Sequence, residues 1–325
     1  MALTHDQATE FVLRKRAARM RSRVDAVSAE VIRELREHTV RPLLLKGPAI
    51  TALLYPADST RSYQDADLLV APPEYETAER CLARLGFQKT LDDSDVPGSE
   101  VAGHPWQRGG DVVDLHWTLA EVGVGPEQVW EALQDGRRIL RVNAVEVDIP
   151  GVAARALIVA LHAAHHGTAV DYPLEDLARA VDQLDQATWA AAAELAERLR
   201  ATDTFTSGLT LHPAGERLAG DLGLPTDLPT VLRLKRGAPP PGAVTMEVLS
   251  STRGAKSRLR LAARKAVPTR RFMRSWFPRS RDSNFWLAVG YLWRPLWLSL
   301  AAGPAFLAWR RVRHAKGRAG PSRSA

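Results

Sequence analysis

The sequence has a single cysteine, Cys81, in 325 residues. No disulfide can form within the chain, and a reducing compartment is its natural setting. The opening stretch MALTHDQATEFVLRKRAARM scatters charges throughout and has no uninterrupted apolar core of the kind a signal peptide needs, so a cytoplasmic protein is expected. No apolar run reaches the roughly 20 residues of a spanning helix. Acids are scarce at one end: from Val231 to Ala325, Glu247 and Asp282 stand against 21 lysines and arginines, a net +19. With +7 for the whole chain, the first 230 residues carry −12. A uniformly basic nucleic-acid-binding domain is thereby excluded, whereas a basic arm on an acidic globular part can still reach RNA, an anionic membrane or an acidic partner.

What is present begins with a 45% hydrophobic content, enough for real cores, and a length that suggests two domains with a tail. Residues Gln7 to His38 lack Gly and Pro and read as amphipathic helix. Pro42-Leu43-Leu44-Leu45-Lys46-Gly47 reads as a buried strand closed by a tight turn, and Pro48 suits the first turn of a helix running to Tyr55. A second strand, SYQDADLLV from Ser62 to Val70, is followed by a helix from Glu74 to Leu85 that places Cys81 on its apolar face. Thr90 to Gly103 is acidic and turn-rich, and a loop is expected. Asp111 to Leu119 alternates cleanly, with Val113, Leu115, Trp117 and Leu119 on one face and Asp114, His116 and Thr118 on the other. Arg138 to Ile149 alternates again, as one more strand or a hairpin. Boundaries are therefore expected at 1–40 (helical segment), 41–150 (α/β core), 151–230 (Ala- and Leu-rich helical domain) and 231–325 (basic linker and aromatic tail). In that tail, Phe285 to Trp293 and Leu296 to Trp309 are apolar on either side of Arg294-Pro295. Tryptophans and flanking arginines fit a helix or hairpin lying in a membrane interface, or a surface docked on the protein itself or a second subunit, through residues 270–313.

The chemistry resides in SYQDADLLV. Side chains at i and i+2 of a strand share a face, so Asp65 and Asp67 project together while Ala66, Leu68 and Val70 turn to the core. Two like charges that close call for a cation between them, and magnesium prefers carboxylate and phosphate oxygens. Asp114, on the polar face of its strand, is placed to be a third carboxylate. Lys46-Gly47 supplies a cation and a turn that a phosphate can approach, Arg61 is a second cation for a triphosphate, and His116 shares the face of Asp114. Asp176, early in a helix, is a further candidate for a substrate cleft. His162, His165 and His166 include an i, i+4 pair, but no Cys or Glu completes a zinc pattern.

Alone, D-x-D describes little more than the solvated start of a strand. The order of features carries more: strand, Lys-Gly turn, helix, Arg, D-x-D strand, helix ending in Leu-Gly-Phe, and a later strand with an Asp on its polar face. That order resembles the nucleotidyltransferase superfamily of DNA polymerase β, and more closely the bacterial uncharacterised nucleotidyltransferases. The matching stretches are LLLKGPAI (43–50), Arg61-x-x-x-Asp65-x-Asp67, RLGF (84–87), VDLHW (113–117), HAAHH, LEDL and the TW start of the next helix, covering roughly residues 40 to 215.

The resemblance implies an α+β (α/β) fold, a polymerase β-like core with a mixed sheet. It further implies a Mg²⁺-dependent (or Mn²⁺-dependent) enzyme that moves a nucleotidyl group from an NTP to an acceptor. On this reading Asp65, Asp67 and Asp114 are catalytic metal ligands, and Lys46, Gly47, Arg61 and His116 bind the nucleotide. The family implies no particular acceptor; small molecule, sugar phosphate, protein and RNA all suit the same site. One departure stands out: Pro48 follows Gly47 where polymerase β relatives generally carry Ser or Gly, and a proline donates no hydrogen bond. The rival expectation is a catalytically inactive member, a scaffold recruited to the inner membrane face or to a partner by its tail.

Overall fold

Val24, Val27, Val31 and Leu35 recur at three- and four-residue spacing and form the inner stripe of a 33-residue helix, α1 (His5–Glu37). In the computed structural model, which describes residues 5–91 and 101–318, this stripe covers one face of a seven-stranded sheet. The chain forms two compact units, one of residues 1–90, 102–161 and 175–202, the other of residues 91–101, 162–174 and 203–325.

In the first unit the chain runs β1 (Leu43–Leu44), α2 (Pro48–Leu54), β2 (Ala66–Leu69), α3 (Tyr75–Arg84), β3 (Gln88–Lys89), β4 (Gly103–Arg108), β5 (Asp111–His116), α4 (Pro126–Gln134), β6 (Arg138–Val142) and β7 (Val145–Ile149). The sheet order is β3-β4-β5-β2-β1-β7-β6. It is mixed, as expected: β2 runs parallel to β5 and β1 to β7, while the other neighbours are antiparallel. Ala66, Leu68, Val113 and Leu115 pack into one core with α1 and with Ala78, Cys81 and Leu82 of α3. Strand alternation then sends Asp67, Asp114 and His116 to the opposite face.

The chain continues through α5 (Val152–His166), α6 (Asp171–Gln183), α7 (Gln186–Arg198), α8 (Thr202–Leu209), α9 (Pro213–Asp221), α10 (Thr230–Arg236), α11 (Ala243–Ser251), α12 (Ala255–Ala266), α13 (Arg270–Trp276) and α14 (Asn284–Arg318). In the second unit, Leu234, Ala243 and Ala305 form a small core from α10, α11 and α14. Trp309 donates its indole N–H to Glu247 at 2.6 Å, which ties α14 to α11.

Two elements differ from expectation, and the tail takes one of its two expected forms. Residues 92–100 of the expected acidic loop lie outside the described residues, and its end is strand β4, whose GHPWQR lacks a clean alternation. Pro105 is tolerated there because its carbonyl, and with it the missing N–H, faces the β3 side at Thr90, just past the end of that two-residue strand. Helix α4 has Pro126 at its first turn and is hidden in the sequence behind Gly123 and Gly125, which precede it. Finally, α14 runs on through Pro295 and Pro304. An interior proline costs about 3 kcal/mol, and at Pro295 the helix is clamped from inside: buried Arg294 lies over Phe272 and Trp276 at 5.1 and 4.9 Å and donates to the Lys265 carbonyl at 3.0 Å.

Candidate active site

Parallel pairing of β2 with β5 sets Asp67 directly against Asp114 and Leu69 against His116. Ligand atoms of Asp67, Asp114 and His116 all lie within 4.8 Å of one another. Asp67 is the deepest, its side chain 3% exposed, and His116 Nε2 stands 3.5 Å from its Oδ1. Room for the imidazole comes from Gly103, opposite His116 on β4: a Cβ there would lie 2.5 Å from the Leu115 carbonyl and 2.7 Å from the His116 ring.

Lys46, just beyond β1, brings its ammonium to 2.5 Å from Asp67 Oδ1. This is an ion pair off the direction of a hydrogen bond, since Asp67 Oδ1, like both ring nitrogens of His116, is buried and makes none. Burial alone would lower the Lys46 ammonium, but Asp67, with Asp65 and Asp114 behind it, raises its pKa above the ordinary lysine value. Burial alone would raise the Asp67 carboxyl, yet Lys46 and His116 hold it well below the usual carboxylate range. Asp114 is raised by burial and by Asp67, with His116 and Lys46 opposing. Asp65, immediately before β2, is pushed up to about 6 by burial and by the Asp67 and Asp114 charges, against which Lys46 and its own backbone hydrogen bond act.

Gly47 has φ 54° and ψ −110°, a conformation that L side chains rarely adopt, and the turn it makes starts α2 at Pro48. A Cβ on Gly47 would meet the Tyr63 ring at 3.3 Å. Gly47→Ala is therefore expected to cost about 1–3 kcal/mol, read as a lower urea midpoint, and to loosen the Lys46 side chain beside it.

Arg61 approaches the same turn. Its guanidinium reaches the Gly47 carbonyl at 3.4 Å and Thr51 Oγ1 at 2.9 Å, while its fork closes on Asp176 of α6 at 2.8 and 2.7 Å. Tyr55 donates to the same carboxylate at 2.6 Å.

Of the residues singled out in the sequence, Lys46, Asp67, Asp114 and His116 converge, Asp65 stands beside them and Gly47 forms the adjoining turn. Arg61 is committed to Asp176. Sequence reasoning missed the importance of Gly103, whose signal is only a glycine at the start of a strand, and of Asp176 as the Arg61 counter-ion. Clustered carboxylate and imidazole donors, several of them buried without a hydrogen bond, suit a divalent cation.

A family profile described as "Uncharacterised nucleotidyltransferase" matches residues 5–214. Among solved structures, the chain is similar to the antibiotic-resistance factor ANT(2'')-Ia in solution, at 16% identity over 53% of this chain and 90% of that one, with a TM-score of 0.39. It is similar also to the crystal structure of ANT(2'')-Ia in complex with adenylyl-2''-tobramycin, at 15% identity over 54% and 97%, with a TM-score of 0.41. A third is an antigenic nucleotidyltransferase-like protein from Paracoccidioides brasiliensis, at 15% identity over 56% and 92%, with a TM-score of 0.34. No curated protein matches the chain.

Proposed function

The chain belongs to the uncharacterised nucleotidyltransferase family, and from its buried carboxylate cluster we propose that it moves a nucleotidyl group from an NTP to an acceptor hydroxyl or phosphate. The observation that carries this reading is the convergence of Asp67, Asp114 and His116 within 4.8 Å, with Asp65 next to them. Asp65, Asp67 and Asp114 would hold the cation, and the imidazole of His116 beside them would make Mn²⁺ as acceptable as Mg²⁺. When bound, the metal supplies charge neutralisation for the triphosphate and for the departing pyrophosphate. Lys46 leaves Asp67 to take a phosphate oxygen. The Gly47 turn gives the phosphates close access to backbone, and Arg61, through Asp176, keeps that turn in place. Asp114, facing Asp67 across the β2–β5 pairing, accepts the acceptor's proton as the acceptor oxygen bonds to the α-phosphorus and the bond from that phosphorus to the oxygen bridging it to the β-phosphate breaks.

An inactive scaffold is the second reading, and Pro48 favours it: it is buried at the first turn of α2 and has no N–H to give a phosphate. Calorimetry with each NTP, with and without Mg²⁺ or Mn²⁺, separates the two. Metal-dependent binding, followed by transfer of α-phosphate label to a component of host extract, is the expected result. If no NTP binds with metal, the enzyme reading fails.

The electrostatics add a pH dependence. Asp65 and Asp114 hold protons more tightly folded than unfolded, so the metal-free protein loses stability as pH rises from about 4 to about 6, the ordinary carboxylate value and the raised Asp65 value. Melting temperatures should show Mg²⁺ stabilising the protein more at pH 7.5 than at pH 5. Equal metal stabilisation at both would contradict the carboxylate assignment.

A further inference from the structure

The inner face of α14 is formed by Leu287, Gly290, Arg294 and Ala305, which are buried in the second unit. Its outer face carries Phe285, Leu292, Leu296, Leu300 and Leu307 at seven- and four-residue intervals, each 50–79% exposed. These 22 residue steps span about 33 Å at 1.5 Å per residue, and from Phe285 to Trp309 the only charged residue is the buried Arg294. An uncharged exposed strip of that length requires a cover.

Cations frame this strip. Arg270, Arg271, Arg274, Arg279 and Arg281 are exposed near its start, Arg310, Arg311 and Arg313 near its end, and α12 displays Lys256, Arg258, Arg260 and Arg264 with no buried residue. Exposed Trp286 and Trp293 flank the leucines, and Arg279 lies over Trp286 at 5.7 Å. Among the described residues no helix is long and apolar enough to cross a membrane.

We infer that the outer face of α14 lies in the plane of an anionic lipid bilayer, its leucines and Phe285 in the acyl boundary and the surrounding arginines on lipid phosphates. Each half of the arrangement selects this occupant. A nucleic acid would need cations along the contact face, where the strip has none, and an apolar protein groove would have no use for so large an excess of positive charge around it. An anionic bilayer offers both an apolar layer and a sheet of negative charge, and tryptophan with arginine at the margins is the composition of a helix at that boundary. This inference does not depend on the nucleotidyl-transfer reading.

Co-sedimentation of the full chain with vesicles of phosphatidylcholine alone, or with phosphatidylglycerol added, tests it. Binding is expected to the anionic vesicles, with a blue shift of tryptophan emission and quenching by brominated acyl chains, and to be weak on phosphatidylcholine alone. Leu292→Glu with Leu300→Glu, both on the exposed face, should weaken binding by about tenfold or more, while circular dichroism confirms that helix content is kept. A milder pair, Leu292→Ser with Leu300→Ser, should give an intermediate loss. The inference is overturned if the protein stays in the supernatant with anionic vesicles. It is overturned equally if both pairs bind as the parent does, which would mean charge alone attracts it, or if light scattering shows a dimer that the same substitutions dissociate.

Discussion

Asp67→Asn is expected to reduce nucleotidyl transfer by roughly 10³-fold and to abolish metal-dependent NTP binding, while the protein remains folded. Asp67 is the member of the cluster with the least exposure and the most neighbours: Lys46 and His116 both stand against its Oδ1, and Asp114 faces it across the β2–β5 pairing. The amide preserves shape and removes the charge that a cation and Lys46 both need. Lys46 then retains only Asp65 and Asp114 as negative neighbours, and a stability loss of about 1–3 kcal/mol accompanies the lost chemistry. Steady-state rates with a labelled NTP, together with calorimetric titration of Mn²⁺, measure the two effects separately. Unchanged metal binding in the variant would remove Asp67 from the ligand set.

Arg61→Ala is expected to destabilise the first unit by about 3–5 kcal/mol. The guanidinium and the Asp176 carboxylate are 10% and 4% exposed, and their two-pronged contact leaves Asp176 with only the Tyr55 hydroxyl if the arginine is removed. An uncompensated charge is then stranded between α2 and α6. Replacing both partners, Arg61→Met with Asp176→Leu, should recover most of the loss, because no buried charge remains. Urea unfolding of the two single variants and the double variant gives the coupling. A single variant with a normal urea midpoint but a raised KM for NTP would instead assign Arg61 to the triphosphate directly.

The parts of the fold that bury a regular face were legible from residue order. The three- and four-residue spacing in α1 and the alternation of Asp111 to His116 report local periodicity, which a sequence displays directly. Strand β4 was not legible, because GHPWQR owes its pairing to neighbours on both sides rather than to its own pattern, and Pro105 argued against it. The site followed the same division. Asp67, Asp114 and Lys46 could be anticipated because each interrupts or ends an apolar strand, where a charge needs a reason. The Arg61–Asp176 pair joins residues 115 positions apart, and Gly103 matters only through the ring opposite it; neither relation leaves a mark in local sequence.

Lys46 has a consequence for the life of the protein outside catalysis. Because a lysine already balances Asp67, chelating every divalent ion leaves no bare negative centre at the deepest point of the sheet. On the proposed reading, a cation can then arrive with each substrate and depart with each product without leaving Asp67 unpaired in the interval.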